Sequence, residues 1–236
     1  MKLRKLVYII CTLMIVLFSG CSNNPKTVLT TEVTDVPKVT TVPSNNAETN
    51  STPMPNNSDS LTVSTISVKA GNKFTVALRL DGTVWAWGEN THCQLGDGTT
   101  ESRITPIQVK GLSDITAIAS GWSHVVALKK DGSVWSWGNN GMGQLGDGTK
   151  DMNKNSPVQV NGLNNIIEVD SSGYSSIALK ADGTVWTWGD NTTGQLGSDR
   201  TNGEFPEQVK ELSDVKLVSS GGSYSLAIKK DCTAMA

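Results

Sequence analysis

From about residue 61 the chain is a succession of short apolar runs separated by turns marked by Asp and Gly. In the clearest stretch, Val125-Val126-Ala127-Leu128-Lys129 is a five-residue run of strand type. Asp131-Gly132 follows, a two-residue hairpin signal that predicts a type I′ turn with positive φ at both central residues. Ser133-Val134-Trp135-Ser136-Trp137 then alternates, placing both Trp on one face and Ser on the other. Gly138 to Thr149 contains five Gly and reads as a loop. A third strand is predicted around Pro157-Val158-Gln159-Val160 and a fourth near Ile166 to Val169, just ahead of the next unit.

The same pattern recurs at steps of 50 and 51 residues. Val-Trp-x-Trp-Gly stands at Trp85/Trp87, Trp135/Trp137 and Trp186/Trp188, and these hold six of the seven Trp. Ahead of it lie Val76-Ala77-Leu78, Val126-Ala127-Leu128 and Ile177-Ala178-Leu179, each leading into Asp-Gly with Gly82, Gly132 or Gly183 in the turn. Behind it come Gln94-Leu95-Gly96, Gln144-Leu145-Gly146 and Gln195-Leu196-Gly197, then Pro106-x-Gln108, Pro157-x-Gln159 and Pro206-x-Gln208. Four antiparallel strands per unit, serially repeated, predict an all-β fold: a β-propeller of four-stranded blades. The repeats are placed at about 65–114, 115–165, 166–214 and a truncated 215–236, within a repeat domain of 61–236. The fourth copy reaches Lys229-Lys230-Asp231 and then reads Cys232-Thr233-Ala234-Met235-Ala236 in place of Gly and the tryptophan phrase, so the chain is read as a truncated product, a frameshifted reading frame or a piece of a longer protein.

The front of the chain differs in kind. Lys2, Arg4 and Lys5 precede an apolar stretch from Leu6 to Phe18. As a helix this reaches about 20 Å, short of a bilayer core, so residues 1–20 are expected to be a signal peptide. Ser19-Gly20-Cys21 resembles the lipobox of bacterial lipoproteins, although Phe18 stands where Leu is usual. That resemblance implies a lipid on Cys21 and a place in the cell envelope, anchored on the extracytoplasmic side. Residues 21–60 are expected to be a disordered tether: five of the eight prolines fall in this stretch, with dense Ser, Thr and Asn and no aromatic residue.

The formal charge of −2 falls to about −5 once residues 1–20 are removed, and no Lys/Arg run occurs. That balance excludes a nucleic-acid partner. Cys93 and Cys232 both stand where sister repeats carry Gly; a disulfide between them and two unpaired thiols are both open.

Gly-x-x-His-x-x-Ala-Leu, Asp-Gly-x-Val-Trp-x-Trp-Gly, Asn-x-x-Gly-Gln-Leu-Gly and Pro-x-x-Val, in this order, resemble the regulator of chromosome condensation repeat. The second copy matches best, through Gly121, His124, Asp131-Gly132, Val134 to Gly138, Asn140 and Gly143 to Gly146; the resemblance covers 65–231. It implies a seven-bladed propeller, of which three full repeats and a truncated fourth are present. It carries no nucleotide-exchange or chromatin role to an exported acidic chain.

The paired Trp are expected to be structural core, stacked between blades. Asp81, Asp131, Asp182 and Asp231 are explained by their turns. Asp97 and Asp147 in Leu-Gly-Asp-Gly-Thr raise a calcium loop, but the third copy reads Gly197-Ser198-Asp199, so no metal is expected. No catalytic grouping and no cofactor motif occurs, and the chain is read as non-enzymatic. His124 occupies a place where Phe74, Ser175 and Tyr224 stand in the other copies, which suits packing or capping. Binding is sought where the copies disagree. Trp122 replaces Asn72, Gly173 and Gly222, and Trp122, His124, Tyr174 and Tyr224 lie in equivalent segments predicted to cluster on one rim. The expected partner is a protein at the cell surface; a glycan-binding protein, and a fragment without function of its own, are the alternatives. Self-association that completes the ring stays open.

Overall fold

The computed structural model describes residues 65–150 and 152–236. The chain divides into two units, 1–60 and 61–236. The expected signal peptide, the expected lipidation at Cys21 and the expected tether all lie outside the described residues. The second unit is built from antiparallel sheets, one per repeat. Blade 1 comprises β1 (Thr65–Ala70), β2 (Phe74–Arg79), β3 (Val84–Gly88) and β4 (Arg103–Gln108). Blade 2 comprises β5 (Ile115–Ser120), β6 (His124–Lys129), β7 (Val134–Gly138) and β8 (Lys154–Gln159). Blade 3 comprises β9 (Ile166–Ser172), β10 (Ser175–Lys180), β11 (Val185–Asp190) and β12 (Asn202–Gln208). The fourth sheet has β13 (Val215–Gly221), β14 (Tyr224–Lys229) and the two-residue β15 (Ala234–Met235). Each sheet runs in simple order, every strand paired with the one before it.

Two sequence expectations change here. The strand at Ile166 does not close the second unit; it pairs with β10 and opens blade 3. The outermost strand also starts ahead of its proline, at Arg103 or Lys154. Pro106 and Pro157 are tolerated because β4 and β8 are edge strands, where a missing N–H breaks no ladder.

The hairpin prediction is corrected in its geometry. Gly82, Gly132 and Gly183 have φ of 76°, 80° and 85°, whereas their Asp neighbours do not take positive φ. Gly132 N–H donates to Lys129 C=O at 3.0 Å and Lys129 N–H to Ser133 C=O at 2.9 Å. The loop therefore has three residues and ends in a left-handed Gly, in place of the two-residue type I′ turn. Asp131 keeps a negative φ because its carboxylate is needed ahead of it: Oδ1 accepts Ser133 N–H at 2.9 Å and Ser133 Oγ–H at 2.6 Å. The hydroxyl and backbone bonds from Ser133 hold the Asp131 carboxyl below the usual carboxylate range. The turn also joins blades, since Ile166 N–H donates to Gly132 C=O, as Ile115 N–H does to Gly82 C=O.

Packing between blades follows one rule. Three apolar clusters form, each between consecutive sheets. Trp137 and Trp188 are fully buried, whereas Trp135 and Trp186 are half-buried and packed against the same clusters. The Trp137 indole N–H donates to Gln94 C=O of blade 1 at 3.0 Å, and Trp188 donates to Gln144 C=O of blade 2 at 2.8 Å. The opposite face is buried as well. Ser136 is fully buried and donates to Leu145 C=O at 2.7 Å, and Thr187 does the same to Leu196. A blade has neighbours on both faces, so a polar residue there needs an internal acceptor. Trp85 and Trp87 are only half-buried, because among the described residues no sheet covers their face of blade 1.

Candidate functional site

The loops joining the first and second strands of each blade lie side by side. Asn72 N–H donates to Trp122 C=O at 2.9 Å, and Trp122 N–H donates to Gly173 C=O at 2.9 Å. A row of backbone bonds thus fixes the rim from blade 1 to blade 3. The Trp122 side chain is 53% exposed and meets Tyr174 edge-on, with ring centroids 5.1 Å apart and planes at 76°. Edge-to-face pairs of this kind contribute about 0.5–1.5 kcal/mol beyond area burial, which holds the indole in one attitude. A cavity of about 520 Å³ lies beside it, lined by Asn72, Gly121, Trp122 and Ser172 among others. Tyr224 is 59% exposed in the equivalent segment of the fourth sheet.

His124 is the correction to the predicted cluster: it is fully buried and does not face the rim surface. Its Nε2 lies 3.0 Å from Ser176 Oγ of blade 3, and Ser176 Oγ–H donates to Gln144 C=O at 3.1 Å. With the hydroxyl proton committed to Gln144, Nε2 is the donor and the neutral ring carries its proton there. Nδ1 then has no hydrogen-bond partner. Burial depresses the His124 pKa to about 3.

The sequence reading missed why Gly precedes this residue by three. A Cβ on Gly121 would stand 2.2 Å from His124 Cε1; on Gly71, 1.9 Å from the Phe74 ring; on Gly221, 2.4 Å from the Tyr224 ring. The third copy has no ring here and carries Ser172, with Ser175 Oγ–H donating to Ser172 C=O at 3.3 Å. The Gly and the ring therefore travel together, and the signal was visible as Gly-x-x-aromatic against Ser-x-x-Ser. Gly121→Ala is expected to cost about 1–3 kcal/mol by overpacking. Gly121→Ser with His124→Ser, the third copy's pair, should recover part of that loss in urea unfolding.

The loop aspartates are structural. Asp97 is buried and accepts from Thr99 N–H, Thr99 Oγ–H and Asn90 Nδ2–H, with Arg103 at 3.1 Å. Burial alone would raise its pKa, but the Thr99 and Arg103 contacts outweigh it and the carboxyl titrates below the usual range. Asp147 repeats this with Thr149 and Lys154. Among the described residues no three His, Cys, Asp or Glu side chains are grouped to hold a metal. Glu168 and Asp170 on β9 are tied to the next sheet, accepting the backbone N–H of Val218 and Ser220. Burial, then the nearby Asp170 charge, raises the Glu168 pKa.

Cys93 is a free, buried thiol, so the Cys93–Cys232 disulfide left open by the sequence does not form. Both residues hold the left-handed conformation that Gly supplies in sister repeats, with φ of 65° and 70°.

Comparison with known proteins agrees with this architecture. The family described as the RCC1-like domain matches residues 14–236. The RCC1 domain-containing protein RUG3, mitochondrial, of Arabidopsis thaliana is 37% identical over 148 residues, covering 61% of this chain and 33% of that protein. The probable E3 ubiquitin-protein ligase HERC6 of Homo sapiens is 33% identical over 143 residues, covering 58% of this chain and 14% of that one. The chain thus spans a third or less of these relatives. In yeast RCC1 (Prp20), solved bound to Kap60, the fold superposes with TM-score 0.65 at 23% identity, over 73% of this chain and 43% of that one. Human WBSCR16 superposes with TM-score 0.63 at 23% identity, over 70% of this chain and 44% of that one.

Proposed function

Because the chain belongs to the RCC1-like domain family, we propose that it is a binding module, without an enzymatic role, that engages a partner protein at the cell surface. The observation that carries this reading is Trp122: a large exposed aromatic, braced edge-on by Tyr174, at a place where the other copies have Asn or Gly. Rigid, exposed aromatics are the residues around which protein interfaces concentrate their energy. Tyr224 extends the same rim. The structures named for yeast RCC1 with Kap60, and for the binding of Prp20p to Gsp1p and histones, concern protein partners of those propellers.

The anchoring half of the proposal rests on residues 1–21. A basic start, a short apolar stretch and Ser19-Gly20-Cys21 suit export and lipid attachment at Cys21, which tethers the module to the membrane through 21–60. No nucleic acid fits the charge balance and no cofactor is invoked.

The experiment is capture from an envelope extract by the full chain, with Trp122→Ala and Ile104→Ala compared; Ile104 is 99% exposed and belongs to β4, not to the rim loops. Capture should fall at least about tenfold for Trp122→Ala, stay unchanged for Ile104→Ala, and vanish when the extract is treated with protease. Capture that survives protease and is lost to glycosidase would instead assign a glycan ligand.

A further inference from the structure

The two aromatic loops of the Trp122 rim, 121–123 and 172–174, have used up their hydrogen-bond acceptors. Trp122 C=O takes Asn72 N–H and Gly173 C=O takes Trp122 N–H, both at 2.9 Å. Gly121 C=O takes Ser120 Oγ–H at 3.2 Å, and Ser172 C=O takes Ser175 Oγ–H at 3.3 Å. Ser123 C=O takes Asn139 N–H at 2.8 Å, and Tyr174 C=O takes Asp190 N–H at 3.0 Å. What remains at the surface is a donor. The exposed Trp122 Nε1–H, a group that can only donate, has no acceptor among the described residues. The indoles of Trp135, Trp137, Trp186 and Trp188 each have one. The cavity of about 520 Å³ beside Trp122 has no charged side chain in its lining, which comes from blades 1, 2 and 3 through residues such as Asn72, Ser120 and Ser172. All three blades are four-stranded sheets.

These features select a ligand by exclusion. A charged side chain entering this lining would lose hydration without meeting a counter-charge. An ordinary extended strand brings an N–H at every residue, for which the two loops hold no unused carbonyl. A glycan brings hydroxyl donors and meets the same obstacle. A run of prolines has no N–H and presents only carbonyl acceptors. It also holds the polyproline II form before binding, so little entropy is lost on docking. Its apolar rings suit an aromatic face, and aromatic-lined grooves are the general mode by which such segments are recognised.

Resting on the reading of this rim as the partner surface, we propose that what it takes is a proline-rich segment of the partner protein in polyproline II form. The segment's rings lie against the Trp122 face that Tyr174 holds edge-on, and one of its carbonyls accepts the Trp122 Nε1–H.

The test titrates the isotope-labelled full chain with capped hexaproline and follows amide and indole signals by NMR. Saturable shifts are expected at the Trp122 indole and at the backbone of Gly121 and Ser172, and none with a capped Gly-Ser hexapeptide. Trp122→Phe keeps a ring and removes the donor, and should weaken binding at least about fivefold, as for loss of one neutral hydrogen bond. Trp122→Asn places the first copy's residue in the loop and should abolish binding. No saturable shift, equal binding by Trp122→Asn, or equal shifts from the Gly-Ser peptide would each overturn the proposal. So would shifts from chitotriose in place of hexaproline. If hexaproline fails while capture from the extract still depends on Trp122, the ligand class falls and the binding surface stands. If capture is also indifferent to Trp122, both fall.

Discussion

Trp137→Ala is expected to destabilise the repeat domain by about 3–5 kcal/mol, the range for a core aromatic, in urea unfolding of the full chain. The side chain is fully buried between blades 1 and 2, and its loss also leaves Gln94 C=O without its indole donor. Trp135→Ala should cost less, about 1–2 kcal/mol, because that ring is half-buried and its N–H reaches only Ser133 Oγ, within its own turn. Trp87 holds the register place of Trp137 on the half-buried face of blade 1, so Trp87→Ala should also fall below Trp137→Ala. Equal costs at Trp87 and Trp137 would contradict the assignment of the energy to the inter-blade contact.

The second large effect is a loss of stability in mild acid through His124. Its folded-state pKa of about 3 lies below the usual 6.5 because burial disfavours the charged ring. The unfolded chain therefore takes up the proton first as pH falls. The neutral ring's contribution is complete above pH 6.5 and is lost toward pH 3, at about 1.4 kcal/mol per pH unit. Between pH 7 and 5 the loss should be about 2 kcal/mol. His124→Phe places the first copy's residue at the same site and removes the titration. Its stability should be flatter over that window, and the difference between the two proteins removes the contribution of the carboxylates common to both. Parallel curves would show that His124 is protonated in the folded protein.

The strands and their order were legible in the sequence because each blade repeats the same punctuation, down to the Asp-Gly hairpins and the paired Trp. What escaped has one physical source. A propeller blade is covered on both faces, so alternation does not divide core from solvent as it does in a one-sided sheet. Ser136, placed by the alternation opposite the Trp pair, is buried too and donates to Leu145 C=O. His124, which the sequence reads both as a packing or capping residue and as part of the rim, is the former, buried beneath the rim and bonded to Ser176. Both acceptors are contributed across loops or blades, at separations that no local pattern reports. The turn was misread for a smaller reason: Asp131 bonds forward to Ser133 and leaves the positive φ to Gly132 alone. Of the predicted rim, Trp122 and Tyr174 meet, and Tyr224 stands exposed in the equivalent segment.

The central claim, that the Trp122 rim is the working surface, is tested most directly by photo-crosslinking in cells that produce the protein. Benzoylphenylalanine is placed in turn at positions 122, 224 and 104, the last being the exposed control on β4. The account predicts one discrete protein adduct shared by positions 122 and 224 and absent at 104. The same adducts at all three positions, or none at 122, would contradict it.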